Sequence, residues 1–112
     1  MKFVKVLSVA ALAVGLAFSA QAAEKMKIAM VVKTLGNGFF DAAHQGGEEA
    51  AKELGDVELI FTGPAKATAE GQIELINSLI AQKVDALVIS ANDPDALVPA
   101  TKKAMGRGIK VL

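Results

Sequence analysis

Residues 33–40 read Lys-Thr-Leu-Gly-Asn-Gly-Phe-Phe, and this turn indicates how the chain folds. It follows an apolar run, residues 28–32, and it precedes residues 40–54, where apolar and small side chains recur at intervals of three and four. The unbroken apolar run predicts a strand covered on both faces, and the recurrence predicts a helix. A strand, a glycine-containing turn and a helix form the first half of a β-α-β unit.

The rest of the chain repeats this alternation. Strands are predicted at residues 25–33, 57–62, 84–90 and 109–112. Helices are predicted at residues 40–54, at residues 70–82, and from residue 94 to the glycines at 106 and 108. Crossovers between such strands are right-handed in nearly all proteins and give a parallel sheet. The predicted fold class is therefore α/β, a Rossmann-like parallel sheet with helices on both faces.

Side chains at the helix starts support these bounds. Thr68 and Asp93 are candidate N-caps of the second and third helices, and Pro94 suits the first helical position. Pro99 lacks a backbone N–H, so we expect either an irregular first turn in the third helix or a start near Val98.

The first two helices each predict a buried stripe. The stripe of the first consists of Phe40, Ala43, Gly47, Ala50 and Leu54, and that of the second of Ile73, Ile76, Leu79 and Ile80. Gly46 and Gly47 lower helix stability by about 1 kcal/mol each relative to alanine. We expect close packing against the sheet to be the reason for both.

Residues 1–22 have the pattern of a secretory signal peptide. Two lysines begin it, residues 6–18 are almost wholly apolar, and Ala20-Gln21-Ala22 has the small-x-small form of a cleavage site. The apolar run is shorter than the roughly 18–20 residues that a membrane-spanning helix needs. We expect export to the periplasm with cleavage near Ala22, which leaves residues 23–112 as a truncated domain whose last strand is cut short.

Several classes of function are poorly supported by the composition. The whole chain has no formal net charge, no cysteine and one histidine, His44, so neither a nucleic-acid partner nor a metal site is expected. The dinucleotide fingerprint that begins at Gly36 and Gly38 needs a third glycine at position 41, which is Asp41. No nucleophile–base arrangement can be assembled, so we expect no cofactor and no enzymatic activity.

Three aspartates suggest a carboxylate pair but have simpler interpretations. Asp85 precedes its strand and is expected at the amino edge of the sheet. Asp93 and Asp95 fit the start of the third helix, where negative charge is stabilised by about 0.3–1 kcal/mol.

Six residues lie at, or shortly after, the carboxyl ends of predicted strands and are candidate ligand contacts. They are Lys33, Asn37, Phe39, Phe40, Ser90 and Asn92. Together they offer a cation, hydrogen-bonding groups and flat apolar rings, which suit a small polyhydroxylated ligand. Phe40 also fits the buried stripe, Asn37 also fits a turn in left-handed geometry, and Lys33 also fits a solvated surface.

Two long segments resemble a known family. Residues 28–55, IAMVVKTLGNGFFDAAHQGGEEAAKELG, and residues 75–111, LINSLIAQKVDALVISANDPDALVPATKKAMGRGIKV, look like the type I, sugar-binding periplasmic binding proteins of ABC transporters. The resemblance is to the branch that binds rhamnose or autoinducer-2, and it covers essentially all of residues 23–112. It implies that this chain is the amino-terminal lobe of a protein whose two lobes close on a sugar.

The resemblance also implies roles by position. Lys33 falls where the rhamnose and autoinducer-2 branch has a ligand-contacting lysine. Asn37 falls where ribose binders hydrogen-bond the sugar, and the autoinducer-2 branch tends to be apolar there. Phe39 and Phe40 fall where ribose binders have the aromatic pair that sandwiches the sugar ring. Ser90 falls where those proteins have an asparagine. The family's key aspartate would follow Leu112.

The resemblance thus implies the binding component of a sugar importer, with L-rhamnose as its ligand and a membrane permease as its partner, monomeric when full length. Binding of the autoinducer-2 furanose, presentation of a bound sugar to a membrane sensor, and an enzyme on a Rossmann-like sheet are the alternatives. A transcription regulator shares this lobe, but the signal peptide and the lack of DNA-binding helices argue against it.

Overall fold

The computed structural model describes residues 24–112, so the predicted signal peptide lies outside the described residues. Strands and helices alternate along this part of the chain. The strands are β1 (Met26–Val31), β2 (Val57–Thr62), β3 (Ala86–Ile89) and β4 (Lys110–Val111). The helices are α1 (Gly38–Leu54), α2 (Ala69–Ala81) and α3 (Pro94–Gly106). None of these helices is both long enough and apolar enough to cross a membrane.

The strands form one parallel sheet in the order β2-β1-β3-β4. In the central strand, Ile28 lies opposite Leu59 of β2 on one side and Ala86 of β3 on the other. The predicted α/β class and parallel sheet are confirmed.

The main core lies between the sheet and the helices α2 and α3. Ala29 and Val31 point to the same face, because successive residues of a strand alternate between the faces. They pack with Leu87 of β3, Ile76 of α2 and Leu97 of α3, and all five are at most 2% exposed.

The helix α1 covers the opposite face, which confirms helices on both sides of the sheet. A Cβ atom on Gly47 would lie 2.7 Å from Leu59 Cδ2 and 3.4 Å from the terminal methyl of Met30. The predicted reason for Gly47 is therefore confirmed. The same prediction is wrong for Gly46, where a Cβ atom would meet nothing within 4 Å.

The buried stripe of α1 differs from the predicted one at its second half. Ala51 is buried, whereas Ala50 is exposed and Leu54 is 66% exposed. Ala51 lies eleven residues after Phe40, close to three full turns, and Ala50 is rotated from it by about 100°. Leu54 is the last residue of α1, two positions before Asp56, whose carbonyl accepts a hydrogen bond from the Met26 N–H at the amino edge of the sheet.

Each helix begins at a capping side chain. Thr68 accepts a hydrogen bond of 3.2 Å from the Gly71 N–H, and Asp93 accepts one of 3.1 Å from the Ala96 N–H, so both predicted caps are confirmed. The helix α3 runs unbroken from Pro94 through Pro99, and a start near Val98 is wrong. The carbonyl that Pro99 leaves without an N–H belongs to Asp95, an exposed residue, where water supplies a donor.

Candidate functional site

The candidate site is the edge of the sheet at which β1 and β3 end. The chain leaves β1 through α1 to reach β2 on one side of it, and it returns through α2 to reach β3 on the other side. Ligands of open α/β sheets bind in the crevice outside the carboxyl ends of strands where the connections part in this way. The predicted site residues follow one or other of these two strands.

Asn37 holds the start of α1. Its side-chain oxygen accepts a hydrogen bond of 2.9 Å from the Phe39 N–H, and its carbonyl accepts one of 3.0 Å from the Asp41 N–H. This cap starts the helix at Gly38, two residues earlier than predicted. The left-handed conformation belongs to Gly36 (φ 75°), and Asn37 itself is extended (φ −109°). Capping uses the oxygen of the amide, and its two N–H bonds remain as donors.

The turn after β1 is fixed against the end of β2. The Val32 N–H donates to the Thr62 carbonyl at 2.9 Å, and the Leu35 N–H donates to the Pro64 carbonyl at 3.0 Å. A Cβ atom on Gly63 would lie 2.8 Å from Val32 Cγ2 and 3.1 Å from the Val32 carbonyl oxygen. The backbones therefore approach so closely that only glycine fits without a shift.

The two phenylalanines of the first turn of α1 have different surroundings. Phe40 is 9% exposed, as the core interpretation predicted, whereas the Phe39 side chain is 77% exposed. Their ring centroids are 5.3 Å apart and their planes lie at 83°, an edge-to-face contact. Phe40 thus supports Phe39, whose ring is presented to solvent at the crevice.

A cavity of about 220 Å³ opens beside this pair. It is lined by Met30, Val31, Val32, Phe39, Phe40, Ala43, Val88, Ile89 and Ser90. The structure therefore brings Phe39, Phe40 and Ser90 together, and Ser90 supplies the polar side chain of an otherwise apolar wall. Lys33, Asn37 and Asn92 lie outside this lining.

Asn92 connects the two loops. Its side-chain nitrogen donates to the Lys33 carbonyl at 2.8 Å and to the Thr68 carbonyl at 3.3 Å. The Asn92 amide is thus engaged with the backbone, while the Lys33 side chain is exposed at the same edge. This exposure fits both interpretations of Lys33, a ligand contact and a solvated surface.

Gln72 is a polar residue of this edge that the sequence reasoning missed. It is fully buried, and its side-chain nitrogen donates to the Val32 carbonyl at 3.0 Å and to the Ser90 carbonyl at 2.8 Å. Its side-chain oxygen accepts a hydrogen bond of 2.8 Å from the Asn92 N–H. The signal was its position one turn before Ile76, on the apolar stripe of α2, where a glutamine is unexpected.

The remaining titratable candidates have structural roles. The His44 ring stacks on Phe61, with centroids 4.1 Å apart, and its Nε2 lies 3.3 Å from a carboxylate oxygen of Glu48. Asp85 lies at the amino edge, as predicted, where its carboxylate accepts a hydrogen bond of 2.8 Å from the Lys27 N–H. Within residues 24–112, no three His, Cys, Asp or Glu side chains come together to hold a metal ion.

A second cavity, of about 280 Å³, lies at the amino edge of the sheet. Its lining includes Val84 and Asp85 before β3 and Ile109 before β4. It therefore opens at the edge opposite the loops that carry the candidate residues.

Comparison with known proteins identifies relatives over most of the chain. Residues 28–112 match the family model described as a periplasmic binding protein domain. The D-ribose/D-allose-binding protein of Pseudomonas aeruginosa is 41% identical over 98 residues, which cover 86% of this chain and 31% of that protein. The chain therefore spans about a third of the length of this relative.

Solved structures with a similar fold hold different ligands. An ABC transporter solute-binding protein from Actinobacillus succinogenes with bound D-allose is 40% identical, with a TM-score of 0.73 over 78% of this chain and 30% of its own. One from Clostridium phytofermentas with bound L-rhamnose is 38% identical, with a TM-score of 0.68 over 80% of this chain and 28% of its own. LsrB from Clostridium saccharobutylicum in complex with AI-2 is 28% identical, with a TM-score of 0.73 over 76% of this chain and 26% of its own.

Proposed function

Because the chain belongs to the periplasmic binding protein domain family, we propose that it forms the amino-terminal lobe of the monosaccharide-binding component of an ABC importer. In this proposal a second lobe completes the pocket, and closure of the two lobes excludes water from the sugar. Exclusion of water strengthens each hydrogen bond to the hydroxyl groups. The bound sugar favours the closed state only through the contacts that it gains there.

The exposed ring of Phe39 is the observation that carries this proposal. An aromatic ring that is 77% exposed at a crevice offers a flat apolar face, and the C–H face of a sugar ring is a suitable partner for it. The N–H donors of Asn37 and the hydroxyl of Ser90 lie at the same edge and suit the sugar hydroxyls. This combination favours a neutral monosaccharide.

L-Rhamnose is the ligand that we propose first. It is a 6-deoxy sugar, and its methyl group suits a cavity whose wall is apolar apart from Ser90. D-Allose and D-ribose are the second choice, since the relative named for both sugars is 41% identical to this chain and the solved structure with bound D-allose is 40% identical. The exposed cation Lys33 favours the autoinducer-2 furanose as the third.

The surrounding biology is part of the same proposal. Residues 1–22 direct the chain to the periplasm and are removed near Ala22. The full-length protein acts as a monomer and delivers its sugar to a membrane permease. The alternative role, in which the bound sugar is presented to a membrane sensor, uses the same binding step. Binding and release account for this role without chemistry on the sugar.

A thermal-shift screen of the full-length gene product, from which only residues 1–22 are removed, tests the ligand class. L-Rhamnose, D-allose, D-ribose and an autoinducer-2 preparation are added separately, with sucrose as a disaccharide control. A ligand at 100 times its Kd stabilises the folded state by about 2.7 kcal/mol, which is a clear shift. A shift with a monosaccharide supports the proposal, and no shift with any of the four overturns it.

A further inference from the structure

Gln72 occupies the point at which β1 and β3 part. The last backbone hydrogen bond between the two strands runs from the Ser90 N–H to the Val31 carbonyl at 3.0 Å. Beyond it the chains turn into separate loops, and the side-chain nitrogen of Gln72 donates to the next carbonyl on each side, those of Val32 and Ser90. The glutamine thus replaces one further rung of the sheet.

The third hydrogen bond of Gln72 closes a circuit between the loops. Its side-chain oxygen accepts from the Asn92 N–H, and the Asn92 side chain in turn donates to the Lys33 carbonyl. The loop after β1, the loop after β3 and the first turn of α2 are therefore held by one set of hydrogen bonds. These two loops carry all the candidate sugar contacts outside α1.

Burial separates Gln72 from any ligand. The residue has no exposed surface, so it cannot touch a sugar in the crevice. A buried amide is costly unless its groups are hydrogen-bonded, and here both N–H bonds and the oxygen have backbone partners. Its orientation is consequently fixed, and so is the distance between the two loops that it joins.

We propose that Gln72 is a positioning residue, which sets the spacing of the loops after β1 and β3 and thereby the affinity of the site for its sugar. This inference rests on the proposed function for the identity of the ligand, whereas the hydrogen bonds of Gln72 do not depend on that function. Gln72 acts through Val32, Ser90 and Asn92 and makes no contact with the sugar.

Substitution by glutamate gives a switchable test. An ionised carboxylate at position 72 has no donor and faces the carbonyls of Val32 and Ser90, whereas a protonated one has one O–H to donate. Burial raises the pKa of such a carboxyl, so the neutral form is favoured as the pH falls. The charged residues within two positions of Gln72 or of its partners Val32, Ser90 and Asn92 are Lys33, Glu70, Glu74 and Asp93, and all four are exposed.

The experiment compares three proteins at pH 5 and pH 8, each as the gene product without residues 1–22. They are the wild type, Gln72→Glu and the control Gln82→Glu, whose exposed glutamine donates to the hydroxyl of Ser78. Sugar affinity is measured by calorimetry with the monosaccharide that gives the largest thermal shift. Hydrogen exchange of the sugar-free proteins is measured in parallel, which reports on the loops whether or not a sugar binds.

The expected result is specific to one variant and one pH. Gln72→Glu binds the sugar about tenfold or more weakly than the wild type at pH 8 and recovers most of this loss at pH 5, a free-energy change of about 1.4 kcal/mol for each factor of ten. Gln82→Glu follows the wild type at both pH values. In the sugar-free Gln72→Glu protein at pH 8, exchange is faster at residues 33–37 and 90–92 but not at residues 47–54 of α1.

Other outcomes overturn the inference without ambiguity. A purely structural Gln72 predicts a lower melting temperature with unchanged affinity and unchanged loop exchange. If the wild type binds no monosaccharide, the proposed function fails, and the exchange data alone decide the role of Gln72. The isosteric variant Gln72→Met, which keeps the volume and removes every hydrogen bond, is measured in the same way in case Gln72→Glu does not fold. If neither variant folds, Gln72 determines folding and the positioning role is overturned.

Discussion

The side-chain nitrogen of Asn92 lies 2.8 Å from the backbone carbonyl oxygen of Lys33, although the two residues are 59 positions apart in sequence. This hydrogen bond joins the loop after β3 to the loop after β1 at the edge where a ligand is expected. Asn92 was predicted as a ligand contact, and the structure shows that its amide is engaged with the backbone. We therefore propose that Asn92 supports the site by holding the loops.

The first prediction concerns this hydrogen bond. Asn92→Ala removes both side-chain donors and leaves the carbonyls of Lys33 and Thr68 to find water, which lowers the free energy of unfolding by about 1–2 kcal/mol. Urea unfolding of the gene product measures this loss. Asn77→Ala is the control, because Asn77 is exposed and accepts a hydrogen bond from Lys103, and it changes stability by about 0.5 kcal/mol or less. An equal loss in both variants contradicts the linking role.

A second prediction separates the two roles of Asn37. Asn37→Ser keeps a side-chain oxygen that accepts from the Phe39 N–H, so the start of α1 is preserved. The same change removes the amide donors, and one neutral hydrogen bond to a sugar hydroxyl contributes about 0.5–1.5 kcal/mol. Calorimetry is expected to show weaker sugar binding, while the melting temperature stays close to that of the wild type. If Asn37→Ser binds the sugar as tightly as the wild type, Asn37 acts only as the cap of α1.

The adjacent glycines of α1 give a third prediction, on stability alone. Gly46→Ala places a methyl group in open space and raises the free energy of unfolding by about 1 kcal/mol through helix propensity. Gly47→Ala gains the same propensity but brings its Cβ atom within 2.7 Å of Leu59 Cδ2, so the Leu59 side chain must shift, and this overpacking offsets part or all of the gain.

Chemical denaturation of both alanine variants tests this difference. Gly46→Ala is the built-in control, because the two sites are neighbours on one helix. Equal stability of the two variants contradicts the packing of α1 on the sheet, and so does a more stable Gly47→Ala.

Local sequence signals were enough to predict most of the scaffold. The apolar runs and the caps at Thr68 and Asp93 predicted the alternation of strands and helices, because each depends on residues within one turn of the chain. The position of Phe40 on the predicted buried stripe of α1 agrees with its 9% exposure. Helical spacing carried this information without any knowledge of the tertiary fold.

The parts that were missed depend on contacts between distant segments. Gln72 bonds to carbonyls 40 and 18 residues away, and no local pattern specifies such partners. Ala50 was wrongly predicted to be buried because spacings of three and four after Gly47 fit positions 50 and 51 equally well. Leu54 was wrongly predicted to be buried because the spacing alone does not say where the sheet ends beneath a helix. Pro99 was expected to disturb α3, but an exposed first turn tolerates the missing hydrogen bond.

The central claim, that the crevice beside Phe39 binds a monosaccharide, is tested most directly by calorimetry on Phe39→Ala. The control is Leu54→Ala, which removes a side chain that is 66% exposed at the other end of the same helix. Loss of an aromatic ring that stacks on a sugar is expected to weaken binding by tenfold or more, about 1.4 kcal/mol. Leu54→Ala is expected to bind like the wild type. Equal affinity of the wild type, Phe39→Ala and Leu54→Ala would place the sugar elsewhere and contradict the account.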